Sequence, residues 1–135
     1  MKIILDVNVI LSALIRDSTT RKIILNSKFD FYFPEPSLHK IRKYKDYILE
    51  KSGLTEAEYY KLMATLFKYV KLVPTEEIKK NWDEAKKIME YIDKEDVVFI
   101  ATALSVSDSV IWSDDRHFEK QDRVKVLKTE DMAKF

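Results

Sequence analysis

Four acids stand at the ends of apolar runs: Asp6 closes "KIIL", Asp96 opens "VVFIATAL", and Asp114 and Asp115 follow "SVIW". Carboxylates gathered from distant parts of a chain repel one another and are driven toward the protonated form unless a cation neutralises them. An all-oxygen ligand set suits a hard divalent ion. Held by such a cluster, Mg²⁺ or Mn²⁺ would lower the pKa of a bound water and polarise a phosphoryl oxygen, which makes phosphodiester hydrolysis the reaction class these residues point to. Asn8 and Ser113, each two positions from one of the acids, are placed to orient ligands or a phosphate. Taken singly, every one of these residues has a plainer use, because an Asp or Asn ahead of a helix commonly caps it. For Asp96 alone, capping is the more frequent role, so the case rests on the joint pattern.

The elements that must position these acids are short. Residues 2–5 read as a buried strand, and Val9, Ile10, Ala13 and Leu14 recur at helical spacing behind it. Ser18 or Thr19 can cap a second helix, and "FDFYF" at 29–33 is the next strand, ended by Pro34 and Pro36. A helix from about 36 to 51 carries Leu38, Ile41, Lys45 and Ile48 on one side, with Gly53 at its C-terminal cap. Thr55 and Glu58 form a capping box for a helix whose apolar stripe runs from Tyr59 to Val70. "VKLV" at 70–73 is a strand, and a helix from Thr75 is expected to bury Ile78, Trp82, Ala85, Met89 and Ile92. A helix at 95–106 is apolar nearly all round, before strands at 109–112 and 124–127. Apolar strands with little alternation, separated by helices, predict an α/β fold: about five parallel strands with helices on both faces. In such sheets ligands bind beyond the carboxyl ends of the strands, where Asp6 and Asp115 fall.

Composition narrows the rest. At 135 residues and 46% hydrophobic, one domain spanning 1–135 with one sizeable core is expected. With 24 basic and 23 acidic residues the net charge is +1, so a nucleic-acid surface, if present, is local. The absence of cysteine removes disulfides, thiolate metal sites and thiol nucleophiles, and fits a cytoplasmic setting. A single glycine, Gly53, excludes phosphate-cradling glycine loops. The longest apolar run, 97–106, is about half the ~20 residues a membrane span requires, and no signal peptide is read at the N-terminus.

"ILDVNVILSAL", "DKEDVVFIATAL" and "VIWSDDRHF", in this order, resemble the PIN-domain family over nearly the whole chain. The resemblance implies a parallel sheet flanked by helices, a Mg²⁺ or Mn²⁺ site of acids, and hydrolysis of single-stranded RNA, often by the toxin of a toxin–antitoxin pair that dimerises. Asp6 then matches the family's first acid, Asn8 the polar residue after it, Asp96 the third acid and Asp115 the fourth, with Ser113 in the place of a Ser or Thr. Asp93 and Asp114 are extra acids that could help hold the ion.

The pattern breaks at the second acid. The family places a glutamate in a context like "LEEI", whereas this chain reads "SLHKI", with Lys40 as the better match to the missing residue. At an effective dielectric near 20, a unit charge ~6 Å from a divalent ion is repelled by roughly 5 kcal/mol, so one weak metal site is expected rather than two. Lys40, Arg42 and Lys43 with Tyr44 among them could form an RNA-facing strip, or simply a solvated helix face. The leading expectation is a metal-dependent endoribonuclease with a degenerate site; its rival is a non-catalytic module of the same fold that binds RNA or protein. Haloacid-dehalogenase-like phosphotransferases need D-x-D where this chain has Asp6-Val7-Asn8, and phosphorelay receivers need an acid after the middle strand, where "VKLVP" has none.

Overall fold

The computed structural model describes residues 1–26 and 28–135. Five strands are seen among them: β1 (Lys2–Leu5), β2 (Asp30–Pro34), β3 (Val70–Val73), β4 (Ser109–Trp112) and β5 (Val126–Leu127). They alternate with helices α1 (Val7–Ile15), α2 (Thr19–Asn26), α3 (Leu38–Lys43), α4 (Lys45–Ser52), α5 (Glu56–Leu66), α6 (Thr75–Lys79), α7 (Trp82–Met89), α8 (Val97–Ser105) and α9 (Thr129–Met132). The fold is α/β, and the sheet is parallel throughout, in the order β3-β2-β1-β4-β5. Ile3, Ile4 and Leu5 are all fully buried. Because successive strand residues point to opposite faces, both faces of β1 are therefore covered.

The chain leaves β1 toward β2 on one side and reaches β4 on the other, so the strand order reverses at the β1–β4 boundary. That boundary is the switch point at which α/β sheets open a crevice. Leu5 pairs with Trp112, and the Asp6 amide donates to the Trp112 carbonyl at 3.1 Å, so Asp6 and Ser113 emerge side by side. Behind them, α8 buries Val97 through Ala103 without a break and packs on α7, α6, β4 and β2. An all-round apolar helix belongs in such a place, and it brings its first residues to the same crevice.

Local chemistry sets several boundaries as expected. Gly53 ends α4 in the left-handed region at φ 73°, and Thr55 and Glu58 exchange the two hydrogen bonds of a capping box. Ser18 lies just ahead of α2, where its carbonyl accepts from Lys22, but its buried hydroxyl has no partner.

Two expected helices are each broken. Pro36 confines the first turn after β2 to a 3₁₀ turn at Glu35–Ser37, and a tight turn at Tyr44, whose amide reaches back to Ile41, separates α3 from α4. Ile41 and Ile48 stay buried, while Lys45 swings to Glu56 and Tyr60 on α5 at 2.8 and 2.9 Å. The second break, at Lys80–Asn81, divides α6 from α7. Asn81 Nδ2 donates to Ser105 Oγ at 3.0 Å, and that hydroxyl also lies 3.0 Å from the Glu77 carbonyl, so a polar link occupies the gap. The interruption turns Trp82 outward to 38% exposure, contrary to its expected place beside Ile78, Ala85 and Met89 in the core. In the stripe from Tyr59 to Val70, Tyr59, Leu66 and Val70 are buried, and Leu62, Met63 and Phe67 are half-buried. β5 keeps only two residues, because Gln121 binds the main chain at Phe118 and Val124 and holds the segment before it in a loop.

Candidate metal centre

Asp6 occupies the N-cap position of α1 but makes no side-chain capping bond. Its carboxylate is instead buried, 2% exposed, and Oδ2 accepts from Ser113 Oγ at 2.7 Å. The same hydroxyl oxygen accepts the Asp115 amide at 3.0 Å, so Ser113 fixes the first and last acids against each other. Burial raises the pKa of Asp6, with a smaller push from Asp115, while Ser113 and the first amides of α1 oppose the shift.

Asp96 lies at the junction of a 3₁₀ turn, Lys94–Asp96, with α8. It too forms no capping bond, and its Oδ2 is buried without a partner. At 8% exposure and close to Asp6, Asp93 and Asp115, its carboxyl is pushed up to about 8, by burial first and then by those three neighbours in that order. The plainer role expected for Asp96 is therefore not the one it plays. Asp93 and Asp115 do cap: Asp93 Oδ1 accepts the Glu95 amide at 2.9 Å, and Asp115 Oδ1 accepts the His117 amide at 2.9 Å.

The turn that Asp115 caps returns the His117 ring to the acids. Its Nδ1 lies 2.8 Å from Asp93 Oδ2 and 3.5 Å from Asp115 Oδ1. Asp93, Asp96, Asp115 and His117 each offer a ligand atom, all within 4.8 Å of one another. An orphaned buried oxygen and a ring nitrogen among carboxylates fit a divalent cation, and the nitrogen suits Mn²⁺ better than Mg²⁺. His117 escaped the reading of the sequence; the Asp-x-His spacing at 115–117, which an aspartate-capped turn folds back on itself, is the signal that marks it.

Asp114 does not join this group. Its two oxygens accept from the Thr129 amide and hydroxyl at 2.8 and 2.6 Å, because neighbouring residues in extended chain point to opposite sides. Asn8 is exposed on the wall of a cleft of about 430 Å³ that Asp6, Asp96 and Asp115 also line. Lys40, Lys43 and Tyr44 line this cleft as well; Arg42 does not. The Lys40 ammonium is held by Glu95, 3.5 Å from both its carboxylate and its carbonyl oxygen, above the Phe99 ring at 5.6 Å. Lys40 is thus tied at the rim of the cleft.

A parallel α/β sheet with carboxylates gathered at its switch point, one oxygen of which has no partner among the described residues, defines a class: an α/β domain with an acidic crevice whose ligand atoms suit a cation. The chain belongs to the PIN-domain family, whose model matches residues 4–134. Comparison with curated proteins and with solved structures finds no match. No helix among the described residues is long and apolar enough to cross a membrane.

Proposed function

We propose that residues 1–135 form one domain that acts as a divalent-metal-dependent endoribonuclease on single-stranded RNA. The observation that carries this reading is the buried, unpartnered Oδ2 of Asp96 beside Asp93, Asp115 and His117. Asp96, Asp115 and Asp6 would hold the ion, with Asp93 and His117 completing the set and Ser113 fixing Asp6 against Asp115. When bound, such an ion supplies an activated water and charge neutralisation at the phosphate. Asn8 and Lys43 stand on the cleft wall where a scissile phosphate would be oriented, and Tyr44 offers a ring for a base. A cytoplasmic location, a homodimer and pairing with an antitoxin protein belong to the same reading, supported by family membership.

A second reading, a non-catalytic module that binds RNA or protein, is favoured by Lys40 in place of the family's glutamate. Cleavage of a labelled single-stranded RNA with Mn²⁺ or Mg²⁺ by the native protein, Asp96→Asn and Lys40→Glu separates the two. Metal-dependent cleavage lost in Asp96→Asn is the expected result. A silent native protein with activity regained in Lys40→Glu would establish the second reading.

A further inference from the structure

The acid cleft is not the largest concavity among the described residues. A groove of about 510 Å³ adjoins it, and the two share His39, Lys40 and Glu95 as a common wall. Its far side is built by Trp82, Lys86 and Glu90, spaced four apart and so stacked along one face of α7 and its C-terminal cap, with Lys94 from the turn before Asp96. Trp82 is the exposed member of the chain's two tryptophans; Trp112 is fully buried and donates its Nε1 proton to Thr129. Among the described residues, no acid lies within ion-pair distance of Lys86 or Lys94, whereas Lys40 on the shared wall is paired with Glu95. The break between α6 and α7 thus leaves a large aromatic ring partly in solvent, one helical turn from Lys86, in a groove that shares a wall with the acid cleft.

We propose that this groove is a second subsite for the RNA strand, in which an unpaired base stacks on Trp82 while flanking phosphates meet Lys86 and Lys94. The inference rests on the reading of the acid cleft as a single-stranded RNA site, and extends that site beyond the cleavage position. A wall shared with the cleft, and three lysines against the acids Glu90 and Glu95, with Lys86 and Lys94 in no ion pair among the described residues, argue for a polyanion, and the exposed ring argues for one whose bases are unstacked. A duplex, with its bases already stacked, has no free face to offer.

The two tryptophans make the test direct, because the buried Trp112 contributes a constant background to Trp82 emission. Native protein in EDTA is titrated with a 12-nucleotide single-stranded RNA, with a trinucleotide and with a 12-base-pair duplex, while anisotropy of the labelled RNA reports affinity independently. Quenching by the 12-mer alone is expected, with affinity reduced about 5- to 100-fold in Trp82→Ala, the range for one lost base–aromatic stack. Lys86→Gln and Lys94→Gln should each lower the salt dependence of binding. Unchanged affinity in Trp82→Ala, or equal quenching by the duplex, overturns the subsite and assigns the groove to another partner, while metal-dependent cleavage leaves the RNA reading standing. Neither binding nor cleavage by the native protein overturns both.

Discussion

Asp96 is kept in a position that costs the metal-free protein stability. Its folded pKa is raised above the unfolded one, so the native state holds a proton that the unfolded chain has released throughout the interval between them. Stability of the metal-free protein should therefore fall as pH rises from about 4 to about 8, measured as the urea midpoint in EDTA. Asp96→Asn should flatten this dependence and raise the midpoint at pH 8. Saturating Mn²⁺ should do the same for the native protein, because an ion that binds only the folded state stabilises it. His117→Ala removes a nitrogen ligand and should weaken Mn²⁺ binding in calorimetry by at least the roughly 10- to 100-fold that loss of a merely ligand-orienting group costs, and should weaken Mg²⁺ binding less. Lys40→Glu should tighten both.

At the scale of elements, the strands were legible because apolar runs as short as "KIIL" and "SVIW" end at acids, and α8 because it lacks a polar face. The breaks at Tyr44 and Asn81 were not, because neither contains glycine or proline: the first is a local turn of Tyr44 onto Ile41, and the second is filled by the contact of Asn81 with the distant Ser105. The same limit applied to the site. Asp6, Ser113, Asp96 and Asp115 stand out by their places at strand and helix ends, whereas His117 joins only once the loop has folded, and Asp114, an extra acid beside Asp115 in the sequence, is turned away to Thr129. Local signals carry measurable energy here too. Thr55→Ala removes the side-chain acceptor of the α5 capping box and should cost about 1 kcal/mol by urea denaturation. Asp108 adopts φ 57° in the turn before β4, and a β-branched residue there, as in Asp108→Val, should cost about 1–2 kcal/mol.

For the molecule as a whole, the net charge of +1 means that the proposed RNA binding must draw on a local arrangement of cations around the cleft and groove, and should weaken steeply with salt. On α4 and α5, Tyr47 and Tyr60 are half exposed, and Lys45 lies 4.8 Å from the Tyr60 ring. Aromatic rings of this kind are enriched at interfaces. If this surface closes the proposed homodimer, Tyr60→Glu should give a monomer in sedimentation equilibrium, with Mn²⁺ affinity unchanged.

The latch between Asp114 and α9 has a consequence for the way the protein unfolds. Thr129 is gripped twice by Asp114 and once by the Trp112 indole, and the next residue along from Asp114 is Asp115. Opening of α9 that released Thr129 would free Asp114 and the Trp112 indole together, and would loosen the neighbouring Asp115 while most of the core remained folded. Unfolding begun at α9 would disarm the crevice before it destroyed the fold.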